Sequence, residues 1–204
     1  ITGGVGTIGL AIARKFKKMG SEVILVDVNR NQFKNSEIIS EFNVQHCDVT
    51  KRSEFERVLK KVCVDYGGVD FIISNAGNAF QGEIANLKDT DLKNSFDTNF
   101  FSHQIVASES VKIMKVQNIG GCLLFNISKQ AVNPGKNFGA YGTPKAALLA
   151  LCKQYALEYG GIGIRSNGVN ADRIASGLLT QKMIKARAKS RNLSVEKYLS
   201  NNLL

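Results

Sequence analysis

Short apolar runs alternating with helical segments constrain the fold of this chain more than any other feature. EVILVD (22–27), DFIIS (70–74) and CLLFNIS (122–128) are nearly continuous apolar stretches of strand length. Strands that read this way are covered on both faces, as in a parallel sheet flanked by helices. Ile1-Thr2 reads as the close of a further strand, and 43–47 and 162–169 are strand-like. Between them, helical spacing predicts helices over about 7–19 (Ile8, Ala11, Ile12 and Phe16 inward, stopped by Gly20), 32–42, 51–65, 88–116 and 139–159. Further helical segments follow Ser176. With no internal repeat and no linker, the expectation is one α/β domain over 1–204, a doubly wound parallel sheet. Ligands of such folds bind outside the carboxyl ends of the strands. Gly3–Gly9, Asp27, Asp48, Asn75–Gly77, Ser128 and Val169–Ile174 all fall at those ends.

Composition narrows the function classes. The 204 residues are 44% hydrophobic and 22% charged, and no apolar run reaches membrane-spanning length. No membrane partner is expected. The net charge of +10 is spread along the chain without a basic-aromatic motif, so it reads as a Lys-rich surface, not a nucleic-acid site. Cys47, Cys63, Cys122 and Cys152 are scattered, and with only His46 and His103 beside them no metal site is expected. Separated thiols fit a reducing cytoplasm. The chain opens on ITGG inside a strand, which predicts a piece of a longer polypeptide.

Two motifs carry chemistry. Gly4-Val5-Gly6-Thr7-Ile8-Gly9 satisfies G-x-G-x-x-G after a strand and at the start of a helix. Glycines there let backbone N–H groups approach a pyrophosphate, which the helix N-terminus favours. Asp27 ends the next strand, where a carboxylate binds a ribose 2′-OH and repels a 2′-phosphate. NAD is therefore favoured over NADP, with Arg30 the one nearby counter-indication. The second motif is Ser128, Tyr141 thirteen residues later, and Lys145 four after that. Tyr141 and Lys145 share a helix face, and Pro144 is expected in that helix's first turn. An ammonium beside a phenol should draw the phenol's pKa down from about 10 and make it a usable acid or base.

These motifs resemble the short-chain dehydrogenase/reductase family over nearly the whole chain. TGGVGTIG looks like its glycine motif, Asp48-Val49 its adenine-side dipeptide and Asn75-Ala76-Gly77 its NAG motif, with Asn99 in FDTNF as its helix asparagine. The resemblance implies a Rossmann-type enzyme. Gly3, Gly4, Gly6, Thr7, Ile8, Gly9, Asp27, Asp48, Val49, Asn75, Ala76, Gly77, Tyr141, Lys145 and Ile174 would bind the dinucleotide. Tyr141 would be the general acid/base, Lys145 would lower its pKa and hold the nicotinamide ribose, and Ser128 would bind the substrate oxygen. Asn99 would support a proton-relaying water. Three positions depart from the pattern: Thr7 replaces a middle glycine, and Ala171-Asp172 replaces the usual Pro-Gly after the sixth strand. The Gly3, Gly6, Gly9 spacing is shared with the extended branch of nucleotide-sugar epimerases and dehydratases.

The distal half, including SKQAVNPG, FGAYGTPKAALLALCKQYALEYG and NGVNADRIASGLLT, is similar to the dehydrogenase half of bifunctional rhamnulose-1-phosphate aldolase/alcohol dehydrogenases. That implies small hydroxyaldehydes, or sugar and polyol phosphates, as substrates, and a preceding class II aldolase domain. Residues 173–204 would cover the substrate; their seven basic residues against one acid fit either a basic lid or a solvated amphipathic helix. Gln130 and Asn78 are candidate pocket groups, and His103 reads as packed or surface-exposed. The family implies a homodimer or homotetramer through the helices of 88–116 and 139–159. The leading expectation is an NAD-dependent oxidoreductase for secondary alcohols, against an extended-branch epimerase or a non-catalytic dinucleotide sensor.

Overall fold

The computed structural model describes residues 1–31, 36–172, 174, 181–189 and 192–200, with only the backbone of Lys182. Helix α1 (Thr7–Lys18) leads to β1 (Ile24–Asp27), α2 (Ser36–Glu41), β2 (Asn43–His46), α3 (Arg52–Tyr66) and β3 (Phe71–Ser74). Then follow α4 (Asp89–Phe96), a π-helical turn (Asp97–Phe101), α5 (Ser102–Gln117), β4 (Gly121–Asn126), α6 (Gly139–Tyr159) and β5 (Ile164–Val169). Helices α7 (Gln181–Lys189) and α8 (Val195–Ser200) end the described chain. This is the α/β doubly wound architecture that the alternation predicts.

All strand pairs among the described residues are parallel. β1 pairs with β2, and β4 lies between β3 and β5. Ile1-Thr2 joins the two groups: Val26 donates to the Ile1 carbonyl at 2.9 Å, and Thr2 donates to the Ile73 carbonyl at 3.0 Å. The order is thus β2, β1, the Ile1-Thr2 segment, β3, β4, β5. The crossover reverses direction at the Ile1-Thr2 segment, where such folds form their ligand crevice.

Helices cover both faces, as the apolar strands require. Leu123, Phe125, Leu148, Tyr155 and Ile164 form a core under α6, and Val26, Phe55, Val58 and Val106 one under α3 and α5. A third cluster, Ala13, Val23, Leu25 and Ile38, sits beneath α1 and α2. Across the outside of α3 and α5, Arg52 and Lys112 both pair with Glu109. Burial acts to raise the Glu109 pKa, but these two cations outweigh it and hold the carboxyl below its usual range. No helix among the described residues is long and apolar enough to cross a membrane.

Two elements differ from the sequence-based expectation. The helical region over 88–116 is not one α-helix, because the π turn at Asp97–Phe101 inserts an extra residue and points Asn99 fully into the interior. Pro144 lies well past the first turn of α6, which begins at Gly139. A proline there deprives a carbonyl one turn earlier of its donor. The Ser95 hydroxyl on α4 donates to the Ala140 carbonyl at 2.6 Å and takes that place.

Candidate active site

The glycine turn is shaped by close backbone contacts. Gly3 adopts φ of +60°, and a Cβ there would lie 2.9 Å from the Ala76 Cα. At Gly9 a Cβ would come within 2.3 Å of the Gly3 carbonyl, so packing α1 onto the loop requires glycine. Gly6 is different. A Cβ would find the Gly3 carbonyl at 3.4 Å and open space otherwise, so packing does not demand glycine there. Gly6 is the N-cap of α1, which carries no side-chain cap and no acidic residue in its first turn. Its N–H groups and dipole are left to an outside anion, and the bare Gly6 face lets one approach.

Asp27 faces this turn. One carboxylate oxygen accepts from the Val5 N–H at 3.2 Å and the other from the Asn29 N–H at 3.0 Å, which fixes the group at the end of β1. Arg30 donates instead to His46 Nε2 at 3.1 Å, across the β1–β2 register. Asp48 is spent locally: it accepts from the Thr50 N–H and hydroxyl at 3.0 and 2.7 Å. Burial works to raise its pKa, but these bonds and the Lys51 ammonium outweigh it and hold it below the usual carboxylate range. Val49 beside it is buried.

A chain of amides links this end to the other. The Asn75 side chain donates to the Thr2 and Gly3 carbonyls, both at 3.1 Å, while its oxygen accepts from the Asn126 amide at 2.8 Å. The Asn126 carbonyl in turn accepts from Lys145 Nζ at 2.8 Å. Thr2 Oγ1 accepts from the Asn75 and Ala76 N–H groups. Gly77 packs against Asn99 Oδ1 and Lys145 Nζ, where a Cβ would lie 3.0 and 3.8 Å from them. Asn99 grips the backbone of Asn78 from both sides, accepting from its N–H at 3.1 Å and donating to its carbonyl at 2.8 Å. The same amide also donates to Ser95 Oγ at 3.0 Å.

Ser128, Tyr141 and Lys145 converge at the ends of β4 and α6. Ser128 is buried and caps the 3₁₀ turn Lys129–Ala131, accepting from the Gln130 N–H. Lys145 Nζ sits 5.9 Å from the Tyr141 ring centre. The electrostatics differ from expectation. Burial pushes the Tyr141 phenol up from its ordinary value, and the Ser128 hydroxyl only partly opposes this. Burial also drives Lys145 down to about 7. Burial of each group, and not the charge of the other, sets these two directions.

A family model described as short chain dehydrogenase matches residues 1–187. The chain belongs to the short-chain dehydrogenase family. An uncharacterized oxidoreductase, YuxG, of Bacillus subtilis (strain 168) is 36% identical over 189 residues, covering 87% of this chain and 27% of that protein. Short chain aldehyde dehydrogenase 1 of Euphorbia lathyris is 32% identical over 177 residues, covering 83% and 61%. The chain therefore spans less than two thirds of the length of either relative. The ligand-free structure of Thermoplasma acidophilum aldohexose dehydrogenase superposes with a TM-score of 0.84 at 26% identity, over 98% of this chain and 75% of that one. The family is one of oxidoreductases that use NAD(P)(H).

Gln130 turns back on its own loop, accepting from the Gly135 N–H at 2.6 Å. Asp172 pairs with Lys129, the neighbour of Ser128, at 3.2 Å. Ile174 is exposed, and Arg173 lies outside the described residues, as do parts of the 173–204 segment. Within that segment α7 and α8 share a small core of Ile184, Ala188 and Tyr198, and Arg187 stacks over Phe138, which meets the Tyr141 ring edge-on. Sequence reasoning read His103 as packed or surface-exposed, of which packed is right, and missed only its contact with Lys145. It has no exposed surface and lies between Ser74 Oγ (2.7 Å) and Lys145 Nζ (3.3 Å). An ionisable residue amid the apolar residues of a buried helix was the one available signal.

Proposed function

We propose that this chain transfers a hydride between NAD and a small secondary alcohol or hydroxyaldehyde, or a polyol or sugar, free or phosphorylated. The observation that carries the reading is the convergence of Ser128, Tyr141 and Lys145 at the crevice that the glycine turn opens. The residues present fit a dinucleotide: the Gly6 face and α1 N-terminus suit a pyrophosphate, and Asp27 is fixed where a ribose diol would lie. Asp48-Val49, Asn75–Gly77 and Ile174 would line the rest. When bound, the dinucleotide supplies or accepts the hydride.

The protein's own part is proton handling and position. Ser128 and the Tyr141 hydroxyl bind the substrate oxygen, and Tyr141 takes the alcohol proton in oxidation or returns it in reduction. Lys145 keeps a cation next to the phenolate formed by that step. Arg30 spends only its Nε on His46 and keeps its other donors open to solvent or a 2′-phosphate, so the preference for NAD over NADP rests on Asp27. The sugar or polyol class draws support from the likeness to aldohexose dehydrogenase. A pure dinucleotide sensor has no need of the Ser128, Tyr141 and Lys145 cluster, and the extended-branch reading rests on glycine spacing alone.

The same proposal covers context. A fused class II aldolase domain is part of the same proposal; the 27% share of YuxG that the chain spans is in keeping with a longer parent but does not bear on the kind of domain. A homodimer or homotetramer through α5 and α6 is supported by exposed Val116 and Leu157 on those helices and Phe101 on the π turn before α5. The expected location is the cytoplasm. Calorimetric titration of NAD and NADP into the parent polypeptide, with Asp27→Ala beside it, tests the cofactor. Tighter binding of NAD, weakened by Asp27→Ala, is the expected result; preference for NADP would overturn the Asp27 argument. A panel of hydroxyaldehydes, polyols and their phosphates, with Tyr141→Phe as control, tests the reaction.

A further inference from the structure

Lys145 has a neighbour that the reaction derived above does not use. His103 opens α5 just after the π turn, with no exposed surface. Its Nε2 lies 3.3 Å from Lys145 Nζ, and its Nδ1 lies 2.7 Å from Ser74 Oγ at the end of β3. An ammonium can only donate hydrogen bonds. Nε2 must therefore accept when Lys145 is charged, which leaves the ring proton on Nδ1, donated to Ser74. The contact specifies one neutral tautomer. Burial first and the Lys145 charge second hold the imidazole pKa well below its ordinary value, in keeping with that state.

The surroundings of Lys145 give this contact its weight. Tyr141 faces it from its own helix, the Asn126 carbonyl from β4, His103 from α5, and Gly77 with Asn99 from the loop after β3 and the π turn. No carboxylate contributes to its charge balance among the described residues. A cation buried without a counter-ion is kept charged only by its hydrogen-bond acceptors. Among the described residues Lys145 has two, the Asn126 carbonyl and the His103 imidazole.

We propose that His103 is a positioning residue for the Tyr141–Lys145 pair, a neutral imidazole that accepts a Lys145 N–H and keeps the ammonium charged and aimed. This rests on the reading of Tyr141 and Lys145 as the acid–base pair. A neutral amine at Lys145 would give the phenolate no field to stabilise it, so the contact acts on the reaction through Lys145 alone. Gln can place an oxygen near the position of Nε2, whereas Leu fills the space and accepts nothing.

The test reads Lys145 directly. The intact protein, labelled with 13C at the lysine ε carbon, is titrated by NMR, with the Lys145 signal assigned from its loss in Lys145→Met. His103→Leu is expected to lower the Lys145 midpoint by roughly 1–2 pH units, the worth of one hydrogen bond to a charged group. His103→Gln should restore most of it. Ser74→Ala keeps the ring and removes one of the oxygens bonded to it, the backbone carbonyls of Ser74 and Ala76 remaining, and should lower the midpoint by less. If His103→Leu does not fold, His103→Phe, which also fills the space and accepts nothing, carries the test. With an active substrate, kcat of alcohol oxidation should fall roughly tenfold in His103→Leu, matching a midpoint shift of about one unit, and recover in His103→Gln. Unchanged midpoints in the folded variants would overturn the proposal. Because the midpoint is read without substrate, a wild-type protein inactive on every alcohol would sink the proposed activity and leave the His103 contact standing.

Discussion

At the scale of single residues, the site is built from charge held where water is absent. The Lys145 pKa is about 7 in the folded chain against an ordinary 10.5. Below about 7 both states hold the proton and the folded one bears the whole cost of burying it. As pH rises from about 7 toward 10.5, only the unfolded chain keeps the proton, so this cost fades and stability increases. Lys145→Met should therefore melt several degrees above wild type near pH 6, with the gap closing by about pH 10, as scanning calorimetry would record. Near-constant melting differences across that range would contradict the buried charge. Tyr141→Phe should reduce turnover by roughly 10²–10⁴-fold, the worth of a positioned acid or base, while dinucleotide affinity stays near wild type. Ser128, Tyr141 and Lys145 were legible because their spacing lies within one stretch of chain. The direction of the phenol's shift was not, since burial of both partners is a property of the packed molecule. His103 meets Lys145 from 42 residues away, and no local pattern encodes that meeting.

At the scale of elements, Ser95 is the joint between α4, the π turn and α6. It donates to the carbonyl that Pro144 leaves without a donor, and accepts from the amide that grips Asn78. Ser95→Ala leaves two buried polar groups short of a partner, at about 1–3 kcal/mol each. The expected result is a lower denaturant midpoint and weaker activity together, because Asn99 loses its anchor. A variant as stable as wild type would show that water or a backbone shift replaces the hydroxyl. Gly9→Ala must push α1 away from the Gly3 carbonyl. It should lose dinucleotide binding with a drop in melting temperature, whereas Gly6→Ala, with open space around it, should keep its stability and lose affinity. That contrast separates packing from ligand approach. The sequence places helices correctly here but not their interruption, since a π turn costs one residue of register and is chosen by what Asn99 must reach.

At the scale of the whole molecule, a bound dinucleotide stabilises by mass action. NAD at one hundred times its Kd should add about 2.7 kcal/mol, or roughly 5–10 °C in melting temperature for a chain of this size. Asp27→Ala should need far more NAD for the same shift in a thermal-shift titration. The sheet and its helices were legible because buried strands and amphipathic helices differ in period, which holds over the whole chain. How the crossover is closed was not, because it depends on the Asn75 and Asn126 side chains bridging three strand ends. Those two amides tie the glycine turn to Lys145 through an unbroken run of bonds, so neither half of the sheet can open by itself without breaking the other's contacts. In hydrogen exchange the amides of Thr2, Ala76 and the end of β4 should therefore leave protection together, as one cooperative unit. A protein wired this way cannot keep a formed catalytic end on a melted cofactor end, and partial unfolding would silence it outright instead of leaving it half active.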